Sequence, residues 1–147
     1  MVKFTMSGRR VAVIHGGIDE INHFIFSTTD AEEKRRQVRA ANVDVIVAGH
    51  SGIPFTQDLG DGLVWHNAGA LGMPANDGTA DVWYSILAPA AHGIDFAHHR
   101  LAYDHKAAAT RMRDAGLPEA YARALEIGIW PNQDILPEAE RRLAGGA

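Results

Sequence analysis

Two histidines stand where apolar runs break off at glycine. Val11-Ala-Val-Ile14 runs into His15-Gly16-Gly17, and Val43 to Ala48 runs into Gly49-His50-Ser51-Gly52. Runs of four to eight β-branched residues that stop at glycine read as buried strands. Each strand would then deliver one imidazole to its C-terminal edge, where open α/β sheets place their ligands. Two convergent imidazoles supply half of a metal site. A strained functional turn without a metal would carry the same signature. The chain has no cysteine, so a metal would have to be held by His, Asp, Glu or Asn.

The other histidines carry weaker signals. His66 closes the run Leu63-Val-Trp-His66 just before Asn67 and is a candidate neighbour of the site. His23 reads as a rim residue and His92 as a loop residue. His98 and His99 are adjacent in a strand, so they point to opposite faces and cannot chelate together. His105 opens a helix beside Asp104. Asp19, Glu20 and Asp58 lie near the relevant loops, but their spacing does not distinguish them from solvated loop carboxylates.

The elements that must position these residues follow from local pattern. Met1 to Arg10 is polar, and Ser7-Gly-Arg-Arg10 reads as a turn feeding a first strand at Val11 to Ile14. Ile18, Ile21, Phe24 and Ile25 have helix-like spacing. Thr29-Asp-Ala-Glu32 is a capping box for a helix over Asp30 to Ala41, with Asn42 as its stop. The strand Val43 to Ala48 completes a βαβ-type unit. Leu59-Gly-Asp-Gly62 signals a hairpin into Leu63 to His66. Ala80 to Leu87 and Ile94 to Tyr103 read as antiparallel strands. Asp104 caps a helix to Ala115. Pro118, at a first helical position, opens another that closes at Gly128, and Ile129-Trp-Pro-Asn132 connects to a short helix after Leu136-Pro137. Gly145-Gly146 reads as a frayed end.

A chain of 147 residues with 46% hydrophobic and 22% charged residues is expected to form one globular domain over 1–147, with a helical tail from 104. The net charge of -4 argues against a nucleic-acid surface, which needs clustered Lys and Arg. Lys34-Arg-Arg36 and Arg141-Arg142 are interleaved with glutamates and read as solvated helix faces. No apolar run approaches the ~20 residues of a membrane span, and Met1-Val-Lys-Phe4 does not read as a signal peptide. The expected location is cytoplasmic.

Several of these stretches, taken in order, resemble the calcineurin-like metallophosphoesterases. Ile14-His15-Gly16 resembles the family's HG motif, and Val47-Ala-Gly-His-Ser-Gly52 its GH-x-H motif. Asn67-Ala-Gly-Ala-Leu-Gly-Met-Pro-Ala-Asn76 is similar to the NPGS-x-G-x-PR stretch. Tyr103-Asp104 and the helices around Gly116-Leu-Pro118 resemble the tail of the bacterial branch that includes YfcE-like phosphodiesterases and diadenosine-tetraphosphatase-like proteins. The resemblance covers roughly His15 to Gly128. It implies half of a four-layer α/β/β/α sandwich, with a mixed sheet and C-terminal helices.

The same resemblance implies a divalent cofactor, Mn2+ or Fe2+ first, with Zn2+, Ni2+ or Mg2+ as alternatives. His15 and His50 match ligands of one metal, and Gly16, Gly49, Gly52, His66 and Asn67 are candidate neighbours of that site. Gly52 falls where the second GH-x-H histidine would stand, so that ligand is lost. The family's D-x-H, GD-x-x-D and GNH-D/E motifs have no counterpart, so the chain resembles a C-terminal half. The implied function is hydrolysis of a small phosphate ester at a site completed by residues outside the chain. The alternative is a non-catalytic binding or oligomerisation module. A second copy or a complementary N-terminal half is the implied partner, with Trp65, Trp83, Tyr84 and Ile86 expected on the uncovered sheet face. No nucleic acid or membrane partner is implied.

Overall fold

The computed structural model describes residues 1–144; the Gly145-Gly146 end lies outside them. Five strands form one mixed sheet: β1 (Val2–Met6), β2 (Arg9–Val13), β3 (Val45–Ala48), β4 (Phe55–Gly60) and β5 (Leu63–Asn67), in the order β1-β2-β3-β5-β4. β2, β3 and β5 run parallel, and β1 and β4 are antiparallel edges. Helix α1 (Ala31–Ala40) makes the crossover between β2 and β3. β6 (Val82–Ala90) and β7 (Gly93–Leu101) form a separate two-stranded ribbon. Helices α2 (His105–Asp114), α3 (Glu119–Ile127) and α4 (Glu138–Ala144) follow. No helix among the described residues is long and apolar enough to cross a membrane.

The start of the chain corrects the sequence reading. Val2, Phe4 and Met6 alternate with Lys3 and Thr5, and this short period-two run is β1. It pairs with β2 through Ser7 and Gly8, both at positive φ. Such a turn matches the twist of the strands it joins. The segment from Ile18 to Phe26, expected as a short helix or a turn, forms turns. Asp30, not Thr29, caps α1: its side chain accepts from Glu32 N at 3.1 Å. Thr29 instead accepts from Phe26 N at 2.9 Å. Pro118 is the N-cap of α3 rather than its first helical residue.

Residues opposite one another across a sheet share a face. On one face lie Ala12, Ile46 and Trp65, which pack with Val38 and Ala41 of the α1 region and with Ile25 and Leu59. Trp65 is therefore a core residue under α1 and not part of an open face. The basic run at the middle of α1 is not uniformly solvated either. Lys34 is fully buried, and its ammonium donates to Phe26 O, Ser27 O and Gln57 Oε1 at 2.8, 2.9 and 2.5 Å. Burial pulls its pKa down to about 8, opposed by Glu140 and Asp30. Glu140 in turn accepts from Ser27 Oγ, Thr28 N and Thr28 Oγ1, which docks α4 beside the same segment.

The other face carries the rows Val2-Val13-Val47-His66-Thr56 and Phe4-Val11-Val45-Val64-Asp58. The β6–β7 ribbon covers the β5 side of it, with Phe96 and His98 against His66. Val2, Phe4 and Val13 remain 65%, 40% and 39% exposed at the β1–β2 side. Tyr84 and Ile86 are also exposed, on the ribbon's outer surface.

Candidate functional site

β2 and β3 are adjacent and parallel, so their C-terminal ends meet. Ile14 N donates to Val47 O at 2.9 Å, and Gly49 N donates to His15 O at 2.8 Å. These main-chain bonds set the two loops side by side. His50 Nδ1 lies 2.8 Å from His15 Nε2, with ring centroids 4.6 Å apart. A bond between two ring nitrogens needs one proton and one lone pair, so at most one ring can be cationic while it persists. Burial, then the neighbouring His15 charge, lower the His50 pKa, and the Asn22 main chain opposes them. His50 Nε2 is buried and has no partner among the described residues.

The backbone at His50 is unusual. It sits at φ 60°, and Ser51 N closes back onto Gly49 O at 2.7 Å. A three-residue turn with a non-glycine centre at positive φ is uncommon and costs roughly 1–3 kcal/mol. Strain of this size is kept where surrounding bonds enforce it. Buried Asn67 at the end of β5 supplies them, donating to Gly49 O at 2.8 Å and Ser51 Oγ at 2.7 Å. Gly16 is needed on the other side, because a Cβ there would lie 2.6 Å from Ile21 O and 2.7 Å from His23 O.

His66 lies apart from this pair, inside the layer between sheet and ribbon. Its Nδ1 bonds Thr56 Oγ1 at 2.7 Å, and its ring stacks on His98 at 4.6 Å. His98 Nε2 reaches Asn67 O at 2.8 Å, so the ribbon is tied to the residue that holds the His50 loop. His99 turns away and stacks on Tyr84, as alternation requires. Burial, then His98, pull the His66 pKa down to about 4. The unfolded histidine protonates near 6.5, so this contribution to stability is intact above pH 6.5 and is lost as pH falls to 4. The loss amounts to about 3 kcal/mol. We expect the urea midpoint to fall more between pH 7.5 and 4.5 in the native chain than in His66→Phe, which keeps the ring but cannot titrate. Equal falls in the two proteins would contradict this.

The carboxylates near the loops do not join the imidazoles. Asp19 pairs with Arg36 at 2.5 Å, and Asp58 accepts from Gly60 N at 2.8 Å. The Glu20 carbonyl accepts from Gly17 N and His23 N. Among the described residues no three His, Asp or Glu side chains are placed to hold one metal ion. The His15–His50 pair itself fits two positions of one ion. Ligands at ~2.0–2.1 Å set at right angles are about 2.9 Å apart. Among the described residues no third ligand stands beside the pair.

A cavity of about 680 Å³ opens beside the pair. Phe24, Met73, Tyr121, Trp130 and Ile135 are the large apolar and aromatic side chains in its walls. Phe24 packs on the His50 ring at 4.2 Å. Trp130 comes from the connector after α3 and was not legible as a site residue. Its indole lies over Gly52, where an added Cβ would be 3.4 Å from Trp130 Cζ2. Trp130 N donates to Asn76 Oδ1 and its Nε1 to Pro74 O, both at 2.7 Å. The usable signal was a lone Trp between Gly128 and Pro131, too short to be part of a helix.

No family model matches the chain, and no curated protein does. Solved structures do. A metallophosphoesterase from Sphaerobacter thermophilus is 26% identical over 81% of this chain and 55% of that one, with a TM-score of 0.65. A hypothetical protein from Pyrococcus horikoshii OT3 is 13% identical over 88% of this chain and 50% of its own, with a TM-score of 0.72. The chain thus spans about half the length of these structures. Its mixed sheet, ribbon and helices have the calcineurin-like metallophosphoesterase fold.

Proposed function

We propose that this chain is the C-terminal half of a metal-dependent phosphoesterase of the YfcE-like branch, contributing His15 and His50 as two ligands of one divalent ion. The observation that carries this is the 2.8 Å approach of the two imidazoles at adjoining strand ends. The ion expected first is Mn2+ or Fe2+, with Zn2+, Ni2+ or Mg2+ as alternatives; imidazole suits Fe2+, Zn2+ and Ni2+, whereas Mn2+ and Mg2+ would lean on oxygen ligands from outside the chain. Polarisation of a phosphoryl oxygen is the chemistry a bound divalent ion supplies. The chain's own residues do three things toward it. His15 and His50 present lone pairs, Asn67 fixes the loop that aims one of them, and Trp130 gives the cavity an apolar wall. The remaining ligands come from residues outside this chain.

A second reading is a non-catalytic binding or oligomerisation module. The exposed Val2, Phe4 and Val13 favour it, because contiguous apolar surface marks an interaction face. Metal titration separates the two. By calorimetry the chain should bind about one equivalent of Mn2+ or Zn2+ weakly, and His15→Ala and His50→Ala should each abolish binding. Absence of binding, or binding indifferent to both substitutions, would sink the metal-ligand reading.

A further inference from the structure

We infer that the cavity beside His15 and His50 takes the organic part of a phosphate ester, and that this part carries a planar aromatic ring. The inference rests on the phosphoesterase reading and adds the substrate class.

The walls decide the chemistry. No Lys, Arg, Asp or Glu among the described residues lines the cavity, and Asn132 is the sole amide side chain in it. A sugar or polyol phosphate would bring several hydroxyl groups into this space. Few of them would gain a partner from these walls, and each one that the walls strip of water without a partner costs on the order of 1–3 kcal/mol. An organic group with an apolar face meets no such cost. The volume of about 680 Å³ is also far larger than a lone phosphate requires and lies in the range of small-molecule sites.

The choice of a flat ring over an alkyl chain comes from how the walls are held. Trp130 is fixed at both its main-chain and its indole nitrogen, by Asn76 and Pro74. Gly52 has no side chain to lift the indole away, and its φ of 68° disfavours any replacement. Phe24 packs on the imidazole of His50 at 4.2 Å. Tyr121 completes the aromatic set and is half exposed at the mouth. Rigid aromatic surfaces lose little entropy on binding, and they favour stacked or edge-on aromatic partners over flexible ones. The imidazole pair at one end of the cavity then sets the polarity of the ligand, with phosphate at the histidines and ring toward Trp130 and Tyr121.

The test is calorimetric titration of the whole chain, with Mn2+ present, using phenyl phosphate, glycerol 1-phosphate and phenol. Phenyl phosphate should bind at least about tenfold more tightly than glycerol 1-phosphate. Tyr121→Leu, at an exposed position that the core does not need, should narrow that preference several-fold. Trp130→Leu should do the same if it folds. His50→Ala should weaken both phosphates alike and leave their ratio unchanged. Equal affinity for the two phosphates, with both lost in His50→Ala, would overturn the aromatic inference and leave the phosphoesterase reading standing. Phenol binding as tightly as phenyl phosphate, with no dependence on Mn2+ or His50, would overturn both. Failure of phenyl phosphate to bind would overturn the inference as well.

Discussion

Given excess Mn2+, the chain alone should hydrolyse phenyl phosphate barely faster than buffer does. Ligand geometry is the reason. Two-ion phosphoester hydrolysis clamps a phosphate between cations ~3.5–4 Å apart. Here two imidazole nitrogens lie 2.8 Å apart, close enough to serve adjacent positions of the one ion proposed above, and among the described residues no third ligand accompanies them. Gly52 offers no side chain for a second ion, and the Trp130 indole covers that position. A single, weakly held ion can polarise a phosphoryl oxygen but cannot stabilise both attacking and leaving oxygens. We expect turnover to rise by orders of magnitude only when a complementing polypeptide brings carboxylate ligands, and His15→Ala or His50→Ala to remove that gain. Phosphate release measured with and without Mn2+ checks this. Robust Mn2+-dependent turnover by the chain alone, lost in His50→Ala, would show that the described residues complete a site by themselves.

The largest expected loss of stability comes from one methyl group at Gly128. This residue ends α3 in the left-handed conformation, at φ 71°. A Cβ there would overlap the main-chain nitrogen, carbonyl carbon and oxygen of Thr79. Backbone cannot step aside as a flexible side chain can, and Gly78 N donates to Gly128 O at 3.2 Å, so the two segments are bonded as well as packed. Gly128→Ala should cost about 4 kcal/mol, the strain of a left-handed alanine plus a main-chain collision. Gly116, also left-handed but with open space around it, provides the control, and Gly116→Ala should cost only about 1 kcal/mol. Urea denaturation of the two variants measures the difference. Equal losses would mean that the α3–loop contact contributes nothing. Weakened aryl phosphate binding in Gly128→Ala should accompany the loss, because Trp130 is two residues further on.

The imidazole pair was legible because its signal is local. A β-branched run gives a strand, a glycine ends it, and the residue beside the glycine stands at the strand's edge. The parallel pairing of β2 and β3 followed from one intervening helix. What was missed depends on contacts distant in sequence. Trp130 meets Gly52 across 78 positions, and nothing near either residue announces that meeting. Lys34 looked like part of a solvated basic face, since its three acceptors become visible only when the turns at Phe26 and Ser27 and strand β4 close around it. Trp65 was assigned to the open face by its size, whereas strand parity places it beneath α1. β1 was overlooked because five residues with two charged or polar positions give a short alternation.

The way the His50 loop is held has a consequence for how this site can change over generations. Main-chain bonds from Gly49 and Ser51, together with Asn67, carry the loop. The two imidazoles bond chiefly to each other. Shape and chemistry are thus assigned to different residues. A lineage can discard His15 or His50 and keep the fold, so loss of the metal role proposed for them would meet no barrier from misfolding. Asn67 has no such freedom, because its loss would leave the buried Ser51 hydroxyl without its partner and the strained turn held only by the bond from Ser51 N to Gly49 O. Drift in this chain should therefore fall on the histidines before it falls on the asparagine, and a silent binding protein lies only a substitution or two away from a metal-binding one.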